Sequence, residues 1–194
     1  MSRDTSKYRG PDGRRWPSVT EVLSIAGLVD FAGVPPDVLE AARQRGQDVH
    51  EWAEAIDLGL LSDDQEPDAR VASYVAAYRA FKRETGFEVL ASEQVVRNES
   101  YRYAGTLDRI GFLNGRRVLV DLKTSVSIAP WIGLQLSGYE LALPERHQRY
   151  ALHLLRDGSW KLVPFTSRED AHDFLAAVRL AHYRLRHGLA RLEE

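Results

Sequence analysis

The chain has 194 residues, with 26 Lys and Arg against 28 Asp and Glu, 44% hydrophobic and 28% charged content, and no cysteine. That composition excludes a disordered chain, and the length suits one domain with a substantial core. The lack of thiols excludes disulfides, iron–sulfur clusters and thiolate zinc, while a net charge of −2 excludes a global DNA-coating surface and leaves only a local groove for nucleic acid.

The opening MSRDTSKYRGPDGRRW lacks a secretory apolar stretch, and no run of ~18 apolar residues occurs, so a cytoplasmic protein without a membrane segment is expected. Ser18-Val19-Thr20-Glu21 has capping-box spacing and predicts a short helix from Ser18 to about Leu28. After Pro35-Pro36, apolar residues at helical period predict a long helix from Asp37 to about Leu58, stopped at Gly59. A polar loop spans residues 61–67. Val71, Tyr74, Val75, Tyr78 and Phe81 then mark a third helix from Asp68 to Thr85, ending before Gly86.

At Phe87 the pattern changes to β-branched and alternating residues, predicting strands over Phe87 to Val96, Tyr103 to Leu113 and Arg117 to Lys123 in antiparallel succession. Asn114-Gly115 between the last two is a hairpin signal, because both central positions of a type I′ turn need positive φ. Helix returns over Pro130 to Leu143. Tyr150 to Leu155 and Ser159 to Phe165 form a second strand pair around Asp157-Gly158, and an amphipathic helix from Ser167 to about Arg186 closes the chain. The expectation is a single α/β domain in which a helical part (17–86) precedes a central mixed sheet with its flanking helices (87–190).

Within Val118-Leu119-Val120-Asp121-Leu122-Lys123, alternation puts Asp121 and Lys123 on one face and Val118, Val120 and Leu122 on the other. On the preceding strand Thr106, Asp108 and Ile110 share a face. A two-residue turn that pairs Leu113 with Arg116 sets Asp108 opposite Asp121. An Asp and a Lys two apart on a strand form a surface ion pair in many proteins, so the opposing acid is what gives the pattern chemistry. Two carboxylates meeting among apolar residues repel unless a cation neutralises them. Oxygen ligation suits Mg²⁺ or Mn²⁺, and such an ion makes water nucleophilic and stabilises charge on phosphoryl oxygens. Lys123 could orient that water or stabilise the same charge.

Ala104-Gly105-Thr106-Leu107-Asp108-Arg109-Ile110, followed by Val118 to Ser125, resembles the G-x-x-D and D/E-x-K core of the RecB-like branch of PD-(D/E)XK nucleases. Gln135-Leu136-Ser137-Gly138-Tyr139 resembles that branch's Q-x-x-x-Y helix, and Gly46-Gln47-Asp48-Val49-His50 its upstream helical histidine. Pro17 to Leu23 is similar to the opening of phage-type members, so the resemblance runs in family order from about Pro17 to Tyr139.

The resemblance implies a restriction-endonuclease-like core and a DNA-hydrolysing enzyme, with an exonuclease on linear DNA, single-stranded DNA included, as the favoured subclass. It implies that Asp108, Asp121, the Leu122 carbonyl and His50 hold Mg²⁺ or Mn²⁺, with Lys123 as the catalytic lysine. Gln135 and Tyr139, one helical turn apart, would contact the DNA strand, and Glu93 would support a second metal or a water. Protein partners in recombination or repair are also implied, and oligomeric state is left open. Two other readings stay open: a catalytically silent nuclease fold serving as a DNA-binding or assembly module, and a structure-specific or restriction-type endonuclease. His50-Glu51 begins a zinc-protease pattern, but residue 54 is Glu and the second histidine is missing.

Arg14/Arg15, Arg79/Lys82/Arg83, Arg116/Arg117 and the run Arg179, Arg184, Arg186 and Arg191 are candidate groove walls, although such runs are commonly solvated helix faces. Trp16, Trp131 and Trp160 could stack on bases, with core packing the expectation for each.

Overall fold

A computed structural model of the protein describes residues 7–30, 33–61 and 65–192, and in it the expected elements form in the expected order. The helices are α1 (Val19–Ile25), α2 (Pro36–Asp57), α3 (Ala72–Thr85), α4 (Trp131–Glu140) and α5 (Glu169–Arg186). The strands are β1 (Glu88–Asn98), β2 (Tyr103–Leu113), β3 (Arg116–Lys123), β4 (Gln148–Leu154) and β5 (Trp160–Phe165). The polar loop expected over 61–67 falls partly on residues 62–64, outside the described residues.

The capping box forms in full. Ser18 Oγ accepts from the Glu21 amide at 3.1 Å, and Glu21 Oε2 accepts from the Ser18 amide at 2.8 Å. Helix ends differ from the expected ones for local reasons. Helix α1 stops at Ile25 because the Leu28 amide bonds back to the Leu23 carbonyl across Gly27. Helix α3 starts at Ala72 and not Asp68, because the Asp68 carboxylate accepts from the Arg70 amide and closes a turn first. Helix α4 ends at Glu140, since Pro144 disfavours the helical conformation at Leu143.

The five strands lie in the order β1-β2-β3-β4-β5. Pairings β1–β2, β2–β3 and β4–β5 are antiparallel, and β3–β4 is parallel. The sheet is therefore mixed, and α4 is the crossover between its two parallel strands. Asn114 at φ 50° and Gly115 at φ 73° make the β2–β3 turn, and Leu113 pairs with Arg116 as the turn chemistry requires. The same register carries Arg109 opposite Val120 and so sets Asp108 opposite Asp121.

Two apolar layers sandwich the sheet. Leu119 and Ala151 pack with α1, α4 and α5 through Leu23, Leu136, Phe174 and Val178. Val118, Val120 and Leu122 pack with α2 and α3 through Val49, Ala53, Tyr78 and Phe81. Strand β3 is thus buried on both faces, which explains its almost unbroken run of apolar residues. The tryptophans are packed as expected: Trp16 is buried, Trp131 lies against the first layer, and Trp160 meets the Phe81 ring edge-on at 5.2 Å.

Candidate active site

The C-terminal end of β3 carries Asp121 and Lys123 into a cluster with Asp108 from β2, Glu93 from β1 and His50 from α2. Asp108 is 5% exposed and Asp121 1% exposed. Two carboxylates buried this far need compensation, and the surroundings supply it unequally.

Asp108 is well provided for. Its Oδ2 accepts from the Leu122 amide at 2.7 Å and lies 3.6 Å from His50 Nε2. Burial by itself would raise its pKa, but His50, Lys123 and Arg109 outweigh burial and hold the carboxyl below its ordinary range. Asp121 is not. Lys123 Nζ lies 2.5 Å from its Oδ2, yet neither Asp121 oxygen accepts a directed hydrogen bond among the described residues. Burial, with the Asp108 charge added, overrides Lys123 and pushes Asp121 up to about 6. For His50, burial lowers the pKa, but Asp108 and Glu93 prevail and the net direction is upward.

Glu93 lies between the pairs Ser92–Arg109 and Gln94–Leu107, opposite Asp108, and has a φ of 47°. A left-handed backbone at a non-glycine strand residue stores strain, and strain of this kind gathers at functional sites. The Glu93 Oε1 atom is 3.1 Å from His50 Nδ1. One ligand atom each from His50, Glu93 and Asp108 lies within 4.8 Å of the others, a spacing that one cation can span.

Sequence reasoning missed the group beneath this cluster. Arg109 is fully buried, its Nε donates to Asp57 Oδ2 at 2.7 Å, and its Nη1 donates to Glu93 Oε1 at 3.2 Å. Asp57 also accepts from Lys82 Nζ at 2.6 Å and from the Tyr78 hydroxyl at 2.8 Å. Burial opposes the Arg109 charge, but Tyr78, Asp108 and Asp57 more than offset it and hold the guanidinium above its ordinary value. Removing one partner of such a buried pair costs about 3–5 kcal/mol. Lys82, a candidate groove wall, is turned inward to Asp57, and Arg15 and Arg117 are paired with Glu21 and Glu145. The available signal was a charge at position 109, directly across from Val120, which packs with α2 and α3.

In this cluster four carboxylates (Asp57, Glu93, Asp108 and Asp121) face three cations (Lys82, Arg109 and Lys123), so with His50 neutral the balance is one negative charge. That balance, together with an Asp121 carboxylate that only Lys123 pairs with among the described residues, fits a hard divalent cation held by oxygen and imidazole.

Gln135 and Tyr139 lie elsewhere in the packing. Both are buried in α4, and Gln135 Nε2 donates to the Tyr139 hydroxyl at 3.1 Å. The Tyr139 ring rests on β2 at Gly105, where a Cβ would come within 2.7 Å of it. The glycine of the G-x-x-D pattern thus makes room for the tyrosine of the Q-x-x-x-Y pattern.

No protein-family model matches the sequence, and no curated protein matches it. Among solved structures, the "Putative exonuclease" of Eubacterium rectale superposes with a TM-score of 0.52 at 12% identity, covering 96% of this chain and 80% of that one. An alkaline exonuclease from Laribacter hongkongensis superposes more loosely, with a TM-score of 0.41 at 14% identity, over 89% of this chain and 92% of that one. Identity this low speaks to fold alone. With a five-stranded mixed sheet, helices on both faces and the acidic strand pair at its centre, the chain shares its fold with that Eubacterium rectale protein.

Proposed function

We propose that the protein is a divalent-metal-dependent deoxyribonuclease that hydrolyses phosphodiester bonds, acting as an exonuclease on linear DNA. The observation that carries this reading is the buried Asp108–Asp121 pair with Lys123 beside it, in which Lys123 alone pairs with the Asp121 carboxylate among the described residues.

Asp108, Asp121, the Leu122 carbonyl and His50 would hold Mg²⁺ or Mn²⁺, and Glu93 stands next to them. When bound, the ion supplies Lewis-acid activation of water and neutralises charge on the phosphoryl oxygens. The chain's own residues do the rest. Lys123, about one-fifth exposed and ion-paired with Asp121, can orient the attacking water and meet the charge that grows on the phosphoryl oxygens. Asp108, fixed by the Leu122 amide, stays ionised and gives the ion an anchor that does not need to reorganise. Gln135 and Tyr139 are buried, so their action on the DNA strand would be indirect, by holding α4 against β2 at Gly105. The presence of both acids and the lysine supports this class over a silent module.

The test compares linear single-stranded, linear duplex and closed circular DNA with Mg²⁺, using the unsubstituted chain and Lys123→Ala. Degradation of linear substrates that nearly disappears in the variant is the expected result. Cutting of circles points to an endonuclease, and no cutting of any substrate contradicts the proposal.

A further inference from the structure

Arg109 makes contacts that go beyond packing. Its planar fork reaches all three residues of the His50–Glu93–Asp108 cluster. Nη1 donates to the Glu93 carboxylate at 3.2 Å and to the Asp108 carbonyl at 3.0 Å, and Nη2 donates to the His50 carbonyl at 3.3 Å. On its other side Nε is held by Asp57, which Lys82 and Tyr78 anchor in turn. One buried cation therefore ties α2, β1 and β2 together at the points where each presents a residue to the cluster.

The Glu93 Oε1 atom is shared between Arg109 Nη1 and His50 Nδ1. If Nδ1 carries the proton and donates it to Glu93, the lone pair sits on Nε2, the nitrogen that faces Asp108 Oδ2 at 3.6 Å. A carboxylate behind a histidine is the arrangement that orients metal-binding imidazoles and sets their tautomer.

We propose that Asp57, Arg109 and Glu93 form a positioning relay that holds the His50 ring with Nε2 as the free ligand nitrogen beside Asp108. The inference rests on the reading of His50 and Asp108 as ion ligands, and it makes Glu93 an orienting group for His50. Arg109 is a positioning residue, because it is buried away from any substrate. A lysine cannot replace it, since a single ammonium cannot span a carboxylate on α2, another on β1 and two carbonyls at once.

The test measures Mn²⁺ affinity by calorimetry in the full chain, in Arg109→Lys and in Asp108→Ala, each checked for folding by circular dichroism. It adds the His50 tautomer of the unsubstituted, metal-free protein, read from long-range ¹H–¹⁵N spectra in alkaline buffer. The relay predicts the proton on Nδ1 and a loss of affinity of at least about tenfold in a folded Arg109→Lys, the scale seen when an outer partner of a metal ligand is removed. A folded Arg109→Lys that binds as tightly as the unsubstituted chain, or a His50 proton on Nε2, overturns the relay. Should Arg109→Lys not fold, Asp57→Asn, which loosens Arg109 while leaving it in place, is measured instead: weakened binding supports the relay and unchanged binding overturns it. If the unsubstituted chain does not bind Mn²⁺, or Asp108→Ala binds equally well, it is the reading of the site that fails, and the relay with it.

Discussion

Asp121→Asn should make the metal-free protein more stable at neutral pH. Asp121 is 1% exposed, Lys123 alone pairs with it among the described residues, and burial, with the Asp108 charge added, overrides Lys123 and pushes it from 3.8 to about 6. Between these two values the folded chain binds the proton more tightly than the unfolded one. Stability of the metal-free protein therefore falls as pH rises through that window, and the full penalty applies above about pH 6. The difference corresponds to something on the order of 3 kcal/mol. Asparagine has the same shape without the charge, so the variant should recover a good part of it, about 5–10 °C in Tm for a chain of this size. Thermal unfolding with a chelator at pH 8 reads the effect directly. The gap should narrow as pH falls from about 6 and close only below 3.8, and adding Mn²⁺ should stabilise the unsubstituted chain and not the variant. A variant that unfolds at or below the Tm of the unsubstituted chain at pH 8 without metal would refute the claim that Asp121 is held there at an electrostatic cost.

Mn²⁺ affinity should rise with pH and level off only once both Asp121, at about 6, and His50, raised above 6.5, have lost their protons. Titration calorimetry in buffers of different ionisation enthalpy would show proton release on binding near pH 6, and pH-independent binding between 5 and 8 would contradict it. Gly105→Ala should destabilise by about 1–3 kcal/mol, because its Cβ would lie 2.7 Å from the Tyr139 ring. Chemical denaturation measures the loss, and a variant as stable as the original would show that the ring has room to move.

The hairpin and its acids were legible because two local rules coincide. Asn114-Gly115 allows one turn type, and the pleat then carries the register from Leu113–Arg116 back to Asp108 and Asp121 without further information. Asp57–Arg109 was not legible: the two lie 52 residues apart, and nothing in the last turn of α2 distinguishes Asp57 from a solvated helix-end acid. Arg109 is hidden by its neighbour, since the D-x-K logic follows the face of Asp108 while Arg109 points to the other side of β2. The strained backbone of Glu93 has no sequence signal either, because glutamate is not a residue that favours positive φ. Gln135 and Tyr139 were legible as a helical pair, whereas their burial depended on a glycine on another strand. Helix ends shifted where a side chain or a proline closed a turn, at Asp68 and Pro144, and the periodicity of apolar residues carries no record of that.

The most direct measurement is a crystal of the protein soaked in Mn²⁺ and examined at the manganese absorption edge. One strong anomalous peak bounded by His50 Nε2, Asp108 and Asp121, with Lys123 beside it, is expected. A peak bound elsewhere, or none at this cluster while Asp121 remains ion-paired to Lys123, would contradict it.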